Sequence, residues 1–259
     1  MGAARALRIS GLCLAALSVV AGTSACTGGG AAKDSDAQAL RKAVQPLRAA
    51  GSFRMVGSLR AADGSSTPVD ARVDTHGNCT GRLGRAESIM MGERVWTHWD
   101  DAAVPDALAA LHGGPLDEVI DPVADPRSDP AWRAARLLRG AYLVTDLPGA
   151  KPEVEGLAPV CRAGRLLAEA GNGDGTVNAG PVVERDGARV RSLVQVNGPV
   201  TVRVYVSAHG KPVLRGAEYS VDGGRAVSVR FSELGKPVSA TPPVTFPVIP
   251  SRQLLDLLG

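Results

Sequence analysis

The stretch Val190-Arg191-Ser192-Leu193-Val194-Gln195-Val196-Asn197-Gly198-Pro199-Val200-Thr201-Val202-Arg203-Val204-Tyr205-Val206 decides the fold class. Val190, Ser192, Val194 and Val196 face one way, and Arg189, Arg191, Leu193 and Gln195 the other. After Asn197-Gly198, Val200, Val202, Val204 and Val206 alternate with Thr201, Arg203, Tyr205 and Ser207. A period of two is that of a strand with two unlike faces, and Asn-Gly between two such runs is a strong hairpin signal.

Similar runs flank this hairpin. His209-Gly210 leads into Val213 to Tyr219, and Asp222-Gly223-Gly224 into Val227, Val229 and Phe231. Far upstream, Phe53, Met55, Gly57 and Leu59 alternate with Arg54, Val56, Ser58 and Arg60. Asp63-Gly64 turns this run into Val69, Ala71 and Val73, and His76-Gly77-Asn78 leads on to Cys79–Leu83. Ser88–Met91 and Arg94–Trp99 follow around Gly92-Glu93. Turns at such short intervals predict an antiparallel meander.

Helical patterns lie between and around the two strand blocks. Asp129 as N-cap, Pro130 as first residue and Gly140 after the last turn predict a helix over 130–139. Residues 103–111 and 157–170 read as two more, within a segment broken by Pro105, Pro115, Pro122 and Pro126. Near the start, Ser35-x-x-Gln38 is a capping-box pattern. It opens a helix with Leu40, Val44 and Leu47 on one face, Pro46 as a kink and Gly51 as the stop. The Pro-rich end (Pro237, Pro242, Pro243, Pro247, Pro250) reads as irregular or an edge strand, and Leu254 to Leu258 as a docked helical turn. The class is α+β, mainly β, and residues 36–259 form one domain.

The first residues have a different purpose. Arg5 and Arg8 precede an apolar run from Ile9 to Gly22, too short for a permanent membrane span. Thr23-Ser24-Ala25-Cys26 closes the run and resembles a bacterial lipobox, with Thr23 where Leu is usual. The resemblance implies cleavage before Cys26 and a diacylglycerol, commonly with palmitate, on that cysteine. The other reading is an ordinary secretory signal with Cys26 a bystander. On both, residues 1–25 are removed, and 26–35 read as a flexible tether beginning Thr27-Gly28-Gly29-Gly30.

Of 259 residues, 24 are Arg and five Lys, and the formal charge is +3. Losing Arg5 and Arg8 brings it to about +1, which gives no electrostatic footprint for nucleic acid. Cys13 leaves with the signal. Cys79 and Cys161 remain, one pair in an exported chain. Export favours a disulfide; two buried free thiols are the alternative.

No reaction is legible. The histidines (His76, His98, His112, His209) have no metal-binding spacing, and His76 and His209 sit beside turn glycines. There is no Gly-x-Ser-x-Gly elbow and no phosphate-cradling loop, so neither enzyme activity nor a cofactor is expected. Gly171-Asn172-Gly173-Asp174-Gly175 lacks the later Glu of a calcium loop.

Certain motifs occur in a recognisable order. Gly77-Asn78-Cys79-Thr80-Gly81 precedes a strand pair ending Val95-Trp96; Tyr142 follows a helix; Cys161 sits in a helix ending Leu166-Leu167. Val204-Tyr205-Val206, Gly210-Lys211-Pro212 and Phe231-Ser232-Glu233-Leu234-Gly235-Lys236-Pro237 come later. This series resembles the actinobacterial relatives of the LolA/LppX/LprG lipoproteins; the segment 103–130 departs from them in its length and prolines. The resemblance implies a curved, unclosed antiparallel half-barrel sheet with helices over its concave face. It also implies an anchored protein on the outer face of the cytoplasmic membrane, some relatives carrying lipid in that cavity. Candidate lining residues are Phe53, Met55, Ile89, Trp96, Leu137 and Tyr142, against the helices near 130–139 and 157–170. The other expectation is a structural or interaction lipoprotein with a sealed core. The sequence leaves the oligomeric state open.

Overall fold

A computed structural model describes residues 28–112, 129–172, 175–222 and 224–259. The signal, Cys26, residues 113–128 of the Pro-rich segment and Gly173-Asp174 lie outside them. Five helices and twelve strands follow in the order α1 (Gly28–Ala50), β1 (Ser52–Arg60), β2 (Ser66–Asp74), β3 (Cys79–Leu83), β4 (Ala86–Met91), β5 (Arg94–Trp99), α2 (Val104–His112), α3 (Pro130–Leu138), β6 (Tyr142–Asp146), α4 (Ala158–Glu169), β7 (Val177–Arg185), β8 (Ala188–Asn197), β9 (Val200–Ser207), β10 (Leu214–Val221), β11 (Ala226–Ser232), β12 (Val248–Pro250) and α5 (Ser251–Leu258).

All twelve strands share one sheet, ordered β12-β6-β5-β4-β3-β2-β1-β11-β10-β9-β8-β7. The two sequence blocks meet at β1 and β11, where Met55 pairs with Phe231 and Leu59 with Val227. Only the β12–β6 pairing is parallel among the described strands. Among the described residues neither β7 nor β12 pairs on its outer side, so the sheet is unclosed. The expected α+β architecture, mainly β, is the one observed.

One large core lies on the concave face. Leu40, Val44 and Leu47 of α1 and Leu157, Cys161 and Leu167 around α4 are wholly buried against Phe53, Met55, Val73, Val95, Leu193, Val204 and Ala217. Alternation put these strand residues on one face, and the stripe at i, i+4, i+7 did so for α1. Fully burying each large side chain contributes about 1.5–3 kcal/mol before entropy is counted. The helices are tied to each other as well: Arg41 donates to Gly171 O and Arg48 to Ala168 O, at the carbonyl end of α4. A guanidinium there satisfies free carbonyls and suits the helix dipole. A second, smaller core joins α2, α3 and α5 through Val104, Leu108, Leu138 and Leu254, against Leu143 of β6.

Several elements differ from expectation. α1 begins at Gly28, so residues 28–35 are helical rather than a flexible tether, and Ser35 lies within the helix instead of capping it. Ala31, Ala32 and Lys33 are good helix formers, and extending a formed helix is cheaper than starting one. β6 and β7 arise where no strand was read. In β7, Gly180-Pro181 breaks the alternation, and the register with β8 shifts between Ala179 and Val182. An edge position tolerates both.

The β7–β8 hairpin also changes which side of β8 is buried. Leu193 and Gln195 face the concave core, while Val196 is 48% exposed. Gln195 is satisfied there, its Oε1 accepting from Gly171 N. Val190, on the opposite face, is buried with Tyr205 because the hairpin tip folds across the convex side. Arg185 at that tip stacks on Tyr205, donates to Glu218 and reaches Ser228 of β11, and Asp186 pairs with Arg230. These contacts reach from β7 to β11, across five neighbouring strands, which requires strong coiling of this half of the sheet.

Candidate functional site

Among the described residues, the centre of the concave face is filled by core side chains; a space of about 270 Å³ remains beside the start of α4, lined by Pro159, Arg162, Tyr219 and Val227. Phe53 and Met55, expected to line a ligand cavity, have no solvent exposure and belong to the core. A Cβ at Gly164 of α4 would lie 2.9 Å from Met55 Cε and 3.2 Å from Val73 Cγ1, so helix and sheet are already in van der Waals contact. Further along the sheet, Gly156 presses on Thr97 and Ser88, whose hydroxyls bond each other at 3.3 Å. Cys79 and Cys161 are joined, with Cα atoms 5.8 Å apart, and fix α4 to β3. The expected lining helix α3 packs on α2 and α5 instead of on this face. The reason is geometric: α1 and α4 suffice to fill the curve.

A larger cavity lies at the sheet edge. β12 supplies only three residues, pairing with Tyr142, Leu143 and Val144. Pro250 then caps α5, and the chain departs before pairing with Thr145 and Asp146. The space left is about 840 Å³, within the range of small-molecule sites. Trp96, Val144, Val154, Val248 and Leu255 give it apolar walls. Arg94, Asp146, Lys151 and Arg252 stand around it. Arg94 donates to Asp146 Oδ1 at 2.6 Å, and this pairing holds the Arg94 guanidinium above its ordinary pKa. Among the described residues, Lys151 and Arg252 have no ion-pair partner. Thr145 also lines the site, and its buried Oγ1 has no hydrogen-bond partner.

The other expected residues scatter. Trp96 lines this cavity, on a face opposite to the core. Ile89, beside it in register, is half-buried on that outer face. Tyr142 packs against His98 and Phe246, with ring centroids 5.1 and 5.6 Å away, and burial raises its pKa. Leu137 is 36% exposed on α3. Thus Trp96, Ile89 and Tyr142 share the outer side near the sheet edge, whereas Phe53 and Met55 lie in the sealed core and Leu137 on a helix surface. Lys151, Val248 and Arg252 were missed, because the signal for them is the parallel pairing of residues 248–250 with 142–144, remote in sequence.

His98 Nδ1 donates to Ala141 O at 2.9 Å, and His76 and His209 are exposed. Among the described residues, no three His, Cys, Asp or Glu side chains converge on a point fit for a metal ion. No helix among them is long and apolar enough to cross a membrane.

No family model and no curated protein matches this sequence. Solved structures similar to it in fold include two of different origin. The Mycobacterium tuberculosis lipoprotein LppX has a TM-score of 0.38 and 9% identity, covering 80% of this chain and 99% of its own. An uncharacterized conserved protein from Thermus thermophilus has a TM-score of 0.39 and 7% identity, covering 83% and 99%. At this distance, function rests on the site itself.

Proposed function

We propose that this chain is an exported lipoprotein, held by a lipid on Cys26 at the outer face of the cytoplasmic membrane, that binds the apolar chain of a lipid in the sheet-edge cavity. Its role is binding rather than catalysis. The observation that carries this reading is the cavity's make-up: apolar walls from β5, β6, β12 and α5 around about 840 Å³. Each methylene buried there contributes about 0.8 kcal/mol, so an acyl chain gains affinity with length. The filled centre of the concave face supports a second reading, a structural or interaction lipoprotein.

Native mass spectrometry separates the two. The exported chain carrying Cys26→Ala, purified without detergent, is expected to hold an adduct extractable into organic solvent. Val144→Trp, which fills the cavity, is expected to lose it. An adduct-free protein that also fails to take up added fatty acid leaves the interaction reading standing. The anchor is tested by fractionation: Cys26→Ala moves the protein out of the membrane fraction, and firm retention there would count against lipidation.

A further inference from the structure

The cavity's walls and mouth differ in chemistry. Its walls are apolar, but three cations and one carboxylate surround it. Asp146 is engaged by Arg94 at 2.6 Å. Lys151 and Arg252 are left on two separate elements, the loop after β6 and the first turn of α5. α5 starts at Ser251, and its N-cap Pro250 offers no side-chain cap, so the positive end of its dipole adds to the same side. An apolar slot with positive charge at its mouth that is unpaired among the described residues suits a ligand with the complementary division.

We infer that the site selects an acyl chain ending in an anionic head, a carboxylate or phosphate, held at the mouth by Lys151 and Arg252 while the chain lies against Trp96, Val144 and Val248. This rests on the lipid-binding reading above and names its ligand class. A head at the mouth keeps much of its hydration, so the desolvation cost of an ion pair stays small. Hydrogen bonds to charged groups contribute about 1.5–3 kcal/mol, which corresponds to about tenfold or more in affinity over a neutral head of equal chain length.

The experiment measures equilibrium binding to the exported Cys26→Ala chain at neutral pH, with hexadecanoic acid, hexadecyl phosphate, hexadecanol and inorganic phosphate as probes. The acid and the alkyl phosphate are expected to bind about tenfold tighter than the alcohol. Lys151→Ala with Arg252→Ala is expected to remove that advantage, so that acid, alkyl phosphate and alcohol bind with similar affinity. Both side chains are exposed, so the double variant retains its core. Equal binding of acid and alcohol, unaltered by the double variant, overturns the anionic head and spares the apolar-chain reading. Inorganic phosphate binding as tightly as the alkyl phosphate overturns it too, by making the site one for a free anion. Binding of none of the four overturns both readings.

Discussion

The central concave face and the sheet edge are built from the same alternating strands but finished in opposite ways. At the centre, β1, β2 and β11 meet two helices, and Phe53, Met55 and Val73 lose all contact with water. At the edge, β12 pairs for three residues and stops, and Val248 remains 41% exposed. Helix coverage makes the difference. α1 presents a continuous apolar stripe and α4 is bonded to β3, whereas α5 is eight residues long and packs through Leu254 and Leu258 into the second, smaller core. A face closed by rigid, tied helices stores stability; an edge left short leaves room for another molecule.

The largest effect expected from breaking this contrast is on the tie between α4 and β3. The bridge spans 82 residues, for which the chain-entropy model gives about 4–5 kcal/mol. Cys79→Ala with Cys161→Ala is expected to lower stability toward denaturant by up to this amount. Free alkylation of both thiols in exported protein would refute the bridge itself. Truncation then compares the regions directly. Phe53→Ala at the centre is expected to cost about 3–5 kcal/mol, because the ring leaves a cavity among fixed neighbours. Leu255→Ala, half-buried at the edge, is expected to cost about 1 kcal/mol. Equal costs in urea titrations would mean that the edge is as tightly packed as the centre.

A smaller effect of opposite sign is expected at Thr145. Its Oγ1 is buried without a partner, and leaving a polar group so placed costs about 1–3 kcal/mol. Thr145→Val keeps the shape and removes the hydroxyl, so a neutral or slightly raised melting temperature is expected. Marked destabilisation would show that the hydroxyl has a bonding partner in solution.

Sequence reading served the centre better than the edge, and the reason is locality. The alternation in β1, β2 and β9, the turn at Gly198 and the α3 cap at Asp129 are each written within a few residues. Asp129 Oδ1 accepts from Ala131 N at 2.8 Å, as its place before Pro130 implied. What covers a face is not local. The pattern placed Phe53 and Met55 together correctly but could not say whether helix or ligand would meet them. The hairpin tip that buries Val190 depends on Arg185 reaching three strands beyond its neighbour. The edge cavity depends on residues 248–250 finding 142–144, a pairing without any periodic signal. The resemblance implied a cavity lined by Phe53 and Met55, and both are wholly buried in the core.

The smallest effect expected lies on the convex face, beside the junction of the two strand blocks. Glu233 accepts from Arg54 and Lys236 and pairs with Arg72, and Asp70 pairs with Arg54. Arg72, then Lys236 and Arg54, hold the Glu233 carboxyl down at about 2, from an ordinary 4.5. A carboxylate whose pKa is lower folded than unfolded adds stability above its unfolded pKa. That contribution fades as pH falls from about 4.5 toward 2. The group is solvent-accessible, so screening keeps the contribution small. Glu233→Gln is therefore expected to flatten acid unfolding between those two pH values and to leave the neutral-pH difference modest. The same variant should leave ligand uptake at the edge unchanged, since no cavity residue touches this network. An acid profile identical to wild type would mean that the network is not formed in solution. A changed uptake would mean that the junction and the edge are coupled, which the separate cores of the two regions argue against.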